Sequence, residues 1–214
     1  MSFERKHKVV VYCADVSGAF DKVRRERLVN KLRAAGVHEQ IVMLLASWLD
    51  ERTAEVVVQG QRSDKHALSN MVYQGTVLGP SLWNLMYADA KTPIRHAGFT
   101  ELVYADDLNA YREAPTTTPD DTLIAEAQAC QTEVHRWGGA NQIQFEPAKE
   151  GIHVIGRRAT STETFGILGV DFDSKLIMHR TVECTTQAAT WKAKAVFKVR
   201  RYLGPAECVR LYKC

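Results

Sequence analysis

Apolar positions along the chain mark a series of short strands. A continuous apolar run over 9–14 predicts a buried strand over 8–14, and 99–111 has the pattern of a strand, a tight turn and a second strand. Shorter strands are predicted at four further places: 54–59, 143–145, 151–155 and 165–172. Between these strands the apolar residues recur three and four positions apart, which predicts helices.

The predicted helices cover 21–35, 38–49, 81–91, 119–137 and 186–203. In the second helix, the residues expected to face the core follow the spacing i, i+3, i+4, i+7, i+8: Ile41, Leu44, Leu45, Trp48 and Leu49. Because strands and helices alternate irregularly, the sequence predicts an α+β fold with helices on one face of a sheet.

The start of the fourth predicted helix carries a capping signal. Thr118 is expected to cap the helix, Pro119 to occupy its first position and Asp121 to complete a Thr-x-x-Asp capping box. The residues expected on its buried face are Leu123, Ala127, Cys130, Val134 and Trp137. Their spacing predicts a long helix packed against the sheet.

Composition and charge allow a folded enzyme without naming one. The 214 residues are enough for one domain with a small appendage, and 45% hydrophobic with 25% charged content is ordinary for a globular protein. The net charge of +3 is weak evidence for a polyanionic partner. From Trp191 to Cys214, seven lysines and arginines stand against one acid, Glu207, for a net charge of +6. Such a run is typical of a solvated helix face, and it can also contact phosphates.

Cysteine usage indicates a reducing compartment. The five cysteines are scattered and form no Cys-x-x-Cys pair, which argues against a disulfide framework and against a zinc site. Residues 1–8 are polar, and no apolar stretch approaches the ~20 residues of a membrane span. We therefore expect an intracellular, soluble protein with no membrane partner. The sequence does not distinguish nucleus from cytoplasm.

Three carboxylates stand at the ends of predicted strands. Asp15 ends the apolar run over 9–14, and Asp106 and Asp107 fall between two apolar segments. Successive side chains of a regular strand point to opposite faces, so both neighbouring acids can face one site only at a turn. Three converging carboxylates have a strong electrostatic reason to hold divalent cations, and paired Mg²⁺ ions support in-line phosphoryl transfer. The ordinary alternative for Asp106 and Asp107 is a solvated turn between edge strands.

Small residues follow Asp15 and point to a phosphate-bearing ligand. The turn of Val16, Ser17, Gly18 and Ala19 would expose backbone N–H groups that suit a triphosphate. Phe20 could pack beneath an incoming sugar, where its ring would clash with a 2′-hydroxyl and select deoxynucleotides. Its ordinary alternative is a core aromatic.

Two further segments carry weaker signals. Residues 74–80 contain two glycines that allow close approach of the backbone to a ligand, and Gln74 can hydrogen-bond a nucleotide or template. Lys149 could protonate a leaving pyrophosphate or contact a phosphate. Most Gly-rich loops are only turns, however, and most lysines simply lie on the surface.

Taken together, these segments resemble the palm of reverse transcriptases, most closely those of non-LTR retrotransposons. Residues 14–21 resemble motif A of that family, 74–84 resemble motif B and 104–107 resemble motif C. The helix ending at Trp137, together with 141–149, resembles motif D, and 165–170 resemble motif E. The likeness runs from about residue 8 to 175. Five motifs in the right order are far more specific than any one of them.

The resemblance implies a polymerase palm over 1–180, built as an antiparallel sheet with helices packed on one face. A basic helical start of a thumb would follow over 181–214. The implied activity is that of an RNA-directed DNA polymerase from a retrotransposon-like element, which adds dNTPs to a DNA primer on an RNA template. Asp15, Asp106 and Asp107 would bind two Mg²⁺ ions, or Mn²⁺ in their place.

The resemblance also implies roles for the remaining candidates. Lys149 would be the general acid and Phe20 the sugar gate. Gln74 and Gly75 would line the nucleotide and template pocket, and Leu168 and Gly169 would form the primer grip. Contacts to the nucleic-acid backbone would come from five basic residues: Lys192, Lys194, Lys198, Arg200 and Arg201.

The chain also departs from the family's pattern. Family members place a fingers subdomain before motif A, and only about seven residues precede the first predicted strand here. A fingers-containing N-terminal segment is therefore an expected partner. Two hypotheses stay open: an active domain from a mobile element, and a non-catalytic relic or host-adopted palm that binds nucleic acid. An RNA-dependent RNA polymerase shares the metal chemistry, but Phe20 argues against it.

Overall fold

The contacts of the chain divide it into two units. The computed structural model describes residues 7–50, 52–68, 71–157, 159 and 163–213. The first unit is Met1–Val154 and the second is Ile155–Cys214. The boundary expected near residue 180, between a palm and the start of a thumb, stays a prediction.

Antiparallel strands form the centre of the first unit. The described residues contain ten strands: β1 His7–Asp15, β2 Arg52–Ala54, β3 Val57–Val58, β4 Gln61–Arg62, β5 His66–Leu68, β6 Thr100–Tyr104, β7 Asp107–Pro115, β8 Gly151–Ile155, β9 Thr164–Ile167 and β10 Val170–Asp173. The main sheet has the order β6-β7-β1-β8, and β7 runs antiparallel to both β1 and β6. The predicted first strand and the predicted strand–turn–strand over 99–111 are therefore confirmed.

The helices alternate with these strands. They are α1 Arg25–Ala34, α2 Glu39–Trp48, α3 Gly79–Tyr87, α4 Lys91–His96, α5 Asp120–Asn141, α6 His179–Val199 and α7 Pro205–Lys213, with short 3-10 turns at Ala19–Lys22, Pro147–Lys149 and Arg200–Tyr202. Within the described ranges, none of these helices has the length and apolar character needed to cross a bilayer.

One face of the main sheet supports the core of the first unit. Every second residue of β1 (Val10, Tyr12, Ala14) is buried there, beside Leu108 and Ala110 of β7. The helices contribute Leu82, Trp83 and Met86 of α3, and Leu123, Ala127, Cys130 and Val134 of α5. The predicted α+β fold is confirmed. Because strand side chains alternate, Asp15 and Asp107 belong to the other face of the sheet.

The buried face of α2 differs from the predicted one. Val42, Leu45, Ala46 and Leu49 are buried, whereas Ile41 and Leu44 are 51% and 68% exposed. The segment is apolar almost all round, so two overlapping stripes have helical spacing and tertiary packing selects one of them. The prediction that Ile41 and Leu44 face the core is wrong.

The start of α5 also differs from its prediction. Pro119 is the N-cap residue, helical geometry begins at Asp120, and no side chain caps the helix. Thr118 therefore does not form the expected box with Asp121. Asp120 instead accepts a bond from Lys8 of β1, so an ion pair between elements takes the place of a local cap.

The bounds of three predicted elements were wrong. The expected strand over 54–59 is divided, since β2 ends at Ala54 and β3 begins at Val57, and Gln59 and Gly60, with φ of 50° and 80°, then reverse the chain between β3 and β4. The helix expected from residue 21 begins at Arg25, since Val23 is extended after the 3-10 turn. The final helix expected from residue 186 begins at His179, and α7 follows it. The predicted strand over 143–145 is reduced to one isolated antiparallel bridge between Phe145 and Val16.

Candidate active site

Two of the three candidate carboxylates face each other across the main sheet. Asp15 is the last residue of β1 and Asp107 is the first residue of β7, and the antiparallel register pairs them directly. Directly opposed residues of an antiparallel pair have Cα atoms roughly 4.5–5.5 Å apart. The register alone therefore places both side chains on the same face, at the same end of the sheet.

The third carboxylate lies in the turn that precedes β7. Tyr104 pairs with Asp107, so Ala105 and Asp106 form a two-residue turn between β6 and β7. Ala105 has a φ of 54°, a left-handed conformation that such tight hairpins use at their first central position. The turn keeps Asp106 next to Asp107 without requiring the alternation of a regular strand.

The three carboxylates act on one another electrostatically. The pKa of Asp107 is raised, first by burial and then by the negative charges of Asp15 and Asp106, while Lys149 opposes the rise. Burial and the charge of Asp107 also raise the pKa of the neighbouring Cys13 thiol to about 11. The sheet end therefore concentrates negative charge, as the sequence predicted.

Lys149 supplies the positive charge at this end. Its ammonium donates to Asp15 Oδ2 at 2.5 Å, and this contact raises the pKa of Lys149. The backbone before the 3-10 turn is tied to the end of β1 and the residues after it, since Glu146 N–H donates to the Asp15 carbonyl at 2.9 Å and Ser17 N–H donates to the Gln144 carbonyl at 2.9 Å. The structure thus brings the predicted general acid into direct contact with a predicted metal ligand.

The donor set suits hard divalent cations, which prefer carboxylate oxygens. Its placement is not that of a closed ion site: in the described part of the chain, no three His, Cys, Asp or Glu side chains are grouped closely enough to hold a metal ion. The Asp15 carboxylate is engaged by Lys149 instead. Asp15 and Asp107 therefore share a sheet face, Asp106 lies in the adjoining turn, and all three have the ligand chemistry that divalent metal prefers, with Lys149 paired to Asp15.

An aromatic stack supports the turn that carries Asp106. Phe20 stacks on Trp83 with ring centroids 5.6 Å apart, and Trp83 stacks on Tyr87 at 5.0 Å. Trp83 is 1% exposed, and its indole N–H donates to the Ala105 carbonyl at 2.9 Å. Sequence reasoning missed this role of Trp83, because only the fold brings α3 against a turn 22 residues later.

Tyr87 was also missed by the sequence reasoning. Its side chain is buried, and its hydroxyl has no hydrogen-bond partner among the described residues. Burial raises its pKa, and the negative charges of Asp106, Asp15 and Asp107 raise it further. The phenol consequently stays protonated beside the carboxylates and is available as a donor.

The nucleotide-binding candidates in the turn after Asp15 differ in which of their groups can reach a ligand. Val16 and Ala19 are 4% and 7% exposed, so their side chains belong to the core and only their backbone can face a ligand. Ser17 commits its N–H to Gln144. Of the triphosphate-binding turn that the sequence predicted, Gly18 offers the most accessible surface.

The remaining nucleotide-binding candidates of the first unit are Phe20, Gln74 and Gly75. Phe20 is partly buried and stacks on Trp83, which agrees with the alternative of a core aromatic, and its role as a sugar gate stays a prediction. Gln74 is exposed and its amide donates to Asp21 Oδ1 at 3.4 Å. Gly75 is also exposed, with a φ of 78°.

The primer-grip and backbone candidates belong to the second unit. Leu168 and Gly169 form the two-residue turn between β9 and β10, where both have positive φ, of 50° and 76°. Leu168 is 54% exposed at this turn. The basic candidates all lie on the exposed surface of α6 and the 3-10 turn after it: Lys192, Lys194, Lys198, Arg200 and Arg201.

Curated proteins with similar sequences are polymerases of mobile elements. Over 205 residues the chain is 26% identical to the RNA-directed DNA polymerase from the mobile element jockey of Drosophila melanogaster, which covers 87% of this chain and 22% of that protein. The jockey polymerase of Drosophila funebris is 25% identical over 231 residues, covering 100% of this chain and 25% of that protein. The chain therefore spans about a quarter of the length of these curated relatives.

A solved structure shares the fold at low sequence identity. Apo telomerase from Candida tropicalis, truncated from its C-terminal domain, has a TM-score of 0.57 and 13% identity, over 80% of this chain and 35% of that chain. The family described as Reverse transcriptase (RNA-dependent DNA polymerase) matches residues 2–172, most of the sequence. The chain belongs to the reverse transcriptase (RNA-dependent DNA polymerase) family.

Proposed function

We propose that this chain is the palm of an RNA-directed DNA polymerase from a retrotransposon-like element. It would add deoxynucleotides to the 3′ end of a DNA primer on an RNA template, with dNTPs as substrates. The observation that carries the proposal is the register of Asp15 on Asp107, with Asp106 in the adjoining turn. Family membership supports the reaction type, since the matched family is defined by RNA-dependent DNA synthesis.

Asp15, Asp106 and Asp107 would hold two divalent cations, for which we propose Mg²⁺, with Mn²⁺ able to replace it. When bound, such ions activate the primer 3′-hydroxyl and stabilise the charge that develops on the triphosphate. Lys149 would hold the proton that leaves with pyrophosphate, because its ammonium lies at Asp15 and the carboxylate keeps its pKa high.

The other candidates would bind and orient nucleic acid and nucleotide. Phe20, supported by Trp83, would exclude a 2′-hydroxyl, while Gly18, Gln74 and Gly75 would contact the nucleotide through backbone or amide groups. Leu168 and Gly169 would contact the primer end. The exposed basic residues of α6 would contact phosphates without reading sequence. A fingers-containing segment of a longer protein is a proposed partner.

Primer extension tests this function. The reaction contains Mg²⁺, dNTPs and a primed RNA template, and it compares the wild type with Asp106→Asn. We expect extension to fall by more than about 100-fold in the variant, because even outer-shell changes at metal sites cost about 10- to 100-fold. Asp64→Asn is the matched control, since Asp64 is an exposed acid between β4 and β5. Equal extension by Asp106→Asn and the wild type would contradict the proposal.

One observation favours the second candidate function, a palm that binds nucleic acid without catalysis. The Asp15 carboxylate is already neutralised by Lys149. A folded protein that binds primer–template equally well with and without Mg²⁺, and extends no primer, would support this alternative.

A further inference from the structure

Glu150 is a buried acid that the proposed reaction does not use. Its side chain is 8% exposed. Three side chains from two elements converge on its carboxylate: Tyr12 OH donates to Oε1 at 2.5 Å, His135 Nε2 lies 2.8 Å from the same oxygen, and Gln131 Nε2 donates to Oε2 at 3.4 Å. No described lysine or arginine forms an ion pair with it.

This cluster joins β1, α5 and the segment before β8. Tyr12 lies on the core face of β1, and Gln131 and His135 lie one turn apart on α5. Burying a carboxylate is costly unless hydrogen bonds satisfy it, and His135 pairs with it as an ion only when the imidazole is protonated, so a hydrophobic residue could fasten the same segment at lower cost. The cluster therefore points to a role for the placement of this segment.

Lys149 directly precedes Glu150, and its side chain depends on that placement. The side chain is 64% exposed, so little protein packs around its methylene groups. Its backbone is held on one side by Glu146, whose carbonyl accepts from Lys149 N–H and whose N–H donates to the Asp15 carbonyl, both at 2.9 Å. On the other side the backbone is held by the bonds to Glu150.

We infer that Glu150 is a positioning residue that keeps the Lys149 ammonium on the Asp15 carboxylate. The inference rests on the proposed function, in which Lys149 and Asp15 belong to the active site. Glu150 fixes the backbone through Tyr12 and α5, and Lys149 carries that constraint to Asp15. The sequence predicted a role for Lys149 only, because the partners of Glu150 lie 15 to 138 residues away.

Chemical labelling of Lys149 tests the inference without metal, nucleotide or activity. The folded wild type, Glu150→Ala and Glu150→Gln are treated with limiting acetic anhydride, and modification of each lysine is followed by mass spectrometry. We expect several-fold faster labelling of Lys149 in Glu150→Ala and a rate near wild type in Glu150→Gln, whose amide can retain the bond from Tyr12. Exposed Lys65 is the internal reference. Unchanged labelling of Lys149 in Glu150→Ala would overturn the inference.

Manganese binding gives a second readout through a double-mutant cycle. Lys149→Met should tighten Mn²⁺ binding, followed by electron paramagnetic resonance, by about tenfold or more, because Asp15 loses its internal counter-ion. Glu150→Ala should shift the Mn²⁺ affinity in the same direction, and it should have no further effect once Lys149 is methionine. Equal effects of Glu150→Ala in both backgrounds would overturn the inference.

The two readouts separate failure of the inference from failure of the proposed function. Faster labelling of Lys149 with no Mn²⁺ binding in any variant would support the positioning role and contradict the metal site. If Glu150→Ala does not fold, Tyr12→Phe removes one bond to Glu150 while keeping the ring. Faster labelling of Lys149 in Tyr12→Phe then supports the inference, and an unchanged rate overturns it.

Discussion

The carboxylate of Asp15 lies between a like charge and an opposite one. Asp107 faces it across the sheet, and Lys149 donates to it at 2.5 Å. Lys149 also opposes the rise in the pKa of Asp107 that burial, Asp15 and Asp106 cause. Because these four charges are coupled, a substitution at one changes the proton and cation affinity of the others, and the effects of paired substitutions will not add.

Substitution of Phe20 tests the sugar-gate role. Phe20→Val shortens the side chain on Trp83 and makes space beneath the sugar. We expect the preference for dNTPs over rNTPs to fall by about tenfold or more, since a methylene-sized change in a pocket is worth about 10- to 200-fold in discrimination. The measurement is the ratio of kcat/KM for dCTP and rCTP in primer extension.

The control for Phe20 is a change on the other side of Trp83. Tyr87→Phe retains the stacked ring and removes only the hydroxyl, so it should leave sugar selectivity near wild type. Unchanged selectivity in Phe20→Val, in protein that melts as one folded species, would leave Phe20 with only its packing role.

At the scale of elements, the backbone of α5 packs closely against the 143–145 segment that precedes the contact with Asp15. Gly138, near the end of α5, faces the 143–145 segment, and a Cβ there would lie 2.8 Å from the Ile143 carbonyl oxygen and 3.0 Å from Phe145 Cε2. Its neighbour Gly139 has no atom within 4 Å of the equivalent position. The two adjacent glycines therefore have different structural roles in one helix.

The two glycines make a matched pair of substitutions. Alanine in a helix interior is favoured over glycine by about 1 kcal/mol, so Gly139→Ala should stabilise the protein by roughly that amount. Gly138→Ala should destabilise it despite the same gain, because the carbonyl of Ile143 would have to move. Urea denaturation measures both free energies of unfolding. Stabilisation by both substitutions would contradict the close contact at Gly138.

The carboxylate of Asp173 organises the turn between β10 and α6. It accepts N–H groups from Lys175 at 3.0 Å, Ile177 at 3.1 Å and Met178 at 2.6 Å, which lower its pKa. A lowered folded-state pKa contributes stability that is fully present above the unfolded pKa, about 3.9 for Asp. That stability is lost as pH falls through the folded pKa.

Asp173→Asn should therefore lower the Tm at pH 7, and the difference from wild type should shrink as the pH falls below about 4. Thermal melts followed by circular dichroism between these two pH values measure the effect. Asp171→Asn is the control, because Asp171 is an exposed acid of the same strand. A Tm difference that stays constant with pH would show that ionised Asp173 is not the source of the stability.

Local sequence predicted those features that depend on one segment at a time. The apolar run before Asp15 and the turn at Asp106 were predicted because strand ends and hairpins have local signals. The buried face of α2 and the N-terminus of α5 were not, because they are decided by packing and by an ion pair between distant elements. The supporting roles of Trp83 and Glu150 depend on such distant contacts too, so no spacing rule could have found them.

At the scale of the whole molecule, positive charge is concentrated in the second unit. The segment from Trp191 to Cys214 carries a net charge of +6, more than the +3 of the entire chain. Two of its guanidinium groups make cation–π contacts, since Arg200 lies over the Phe197 ring and Arg201 lies over the Tyr202 ring. The lysines of α6 remain exposed, and no described lysine of that helix forms an ion pair.

Replacement of the three α6 lysines tests whether this charge contacts nucleic acid. Each phosphate contact contributes about 0.9 to the slope of log K against log salt for duplex DNA, and about 0.7 for single strands. The triple variant of Lys192, Lys194 and Lys198 to Gln should therefore reduce the slope by about 2 to 3. Fluorescence anisotropy with a labelled primer–template between about 50 and 200 mM KCl measures it.

A charge-matched triple variant separates direct contact from net charge. Arg33, Arg95 and Arg136 already pair with Glu39, Glu101 and Glu133, so their replacement by Gln removes the same three charges from residues with internal partners. If the α6 lysines contact phosphates, this control keeps the wild-type slope although both variants have the same net charge. Equal loss of slope in the two variants would mean that the overall charge of the protein attracts nucleic acid, and that α6 is only a solvated helix.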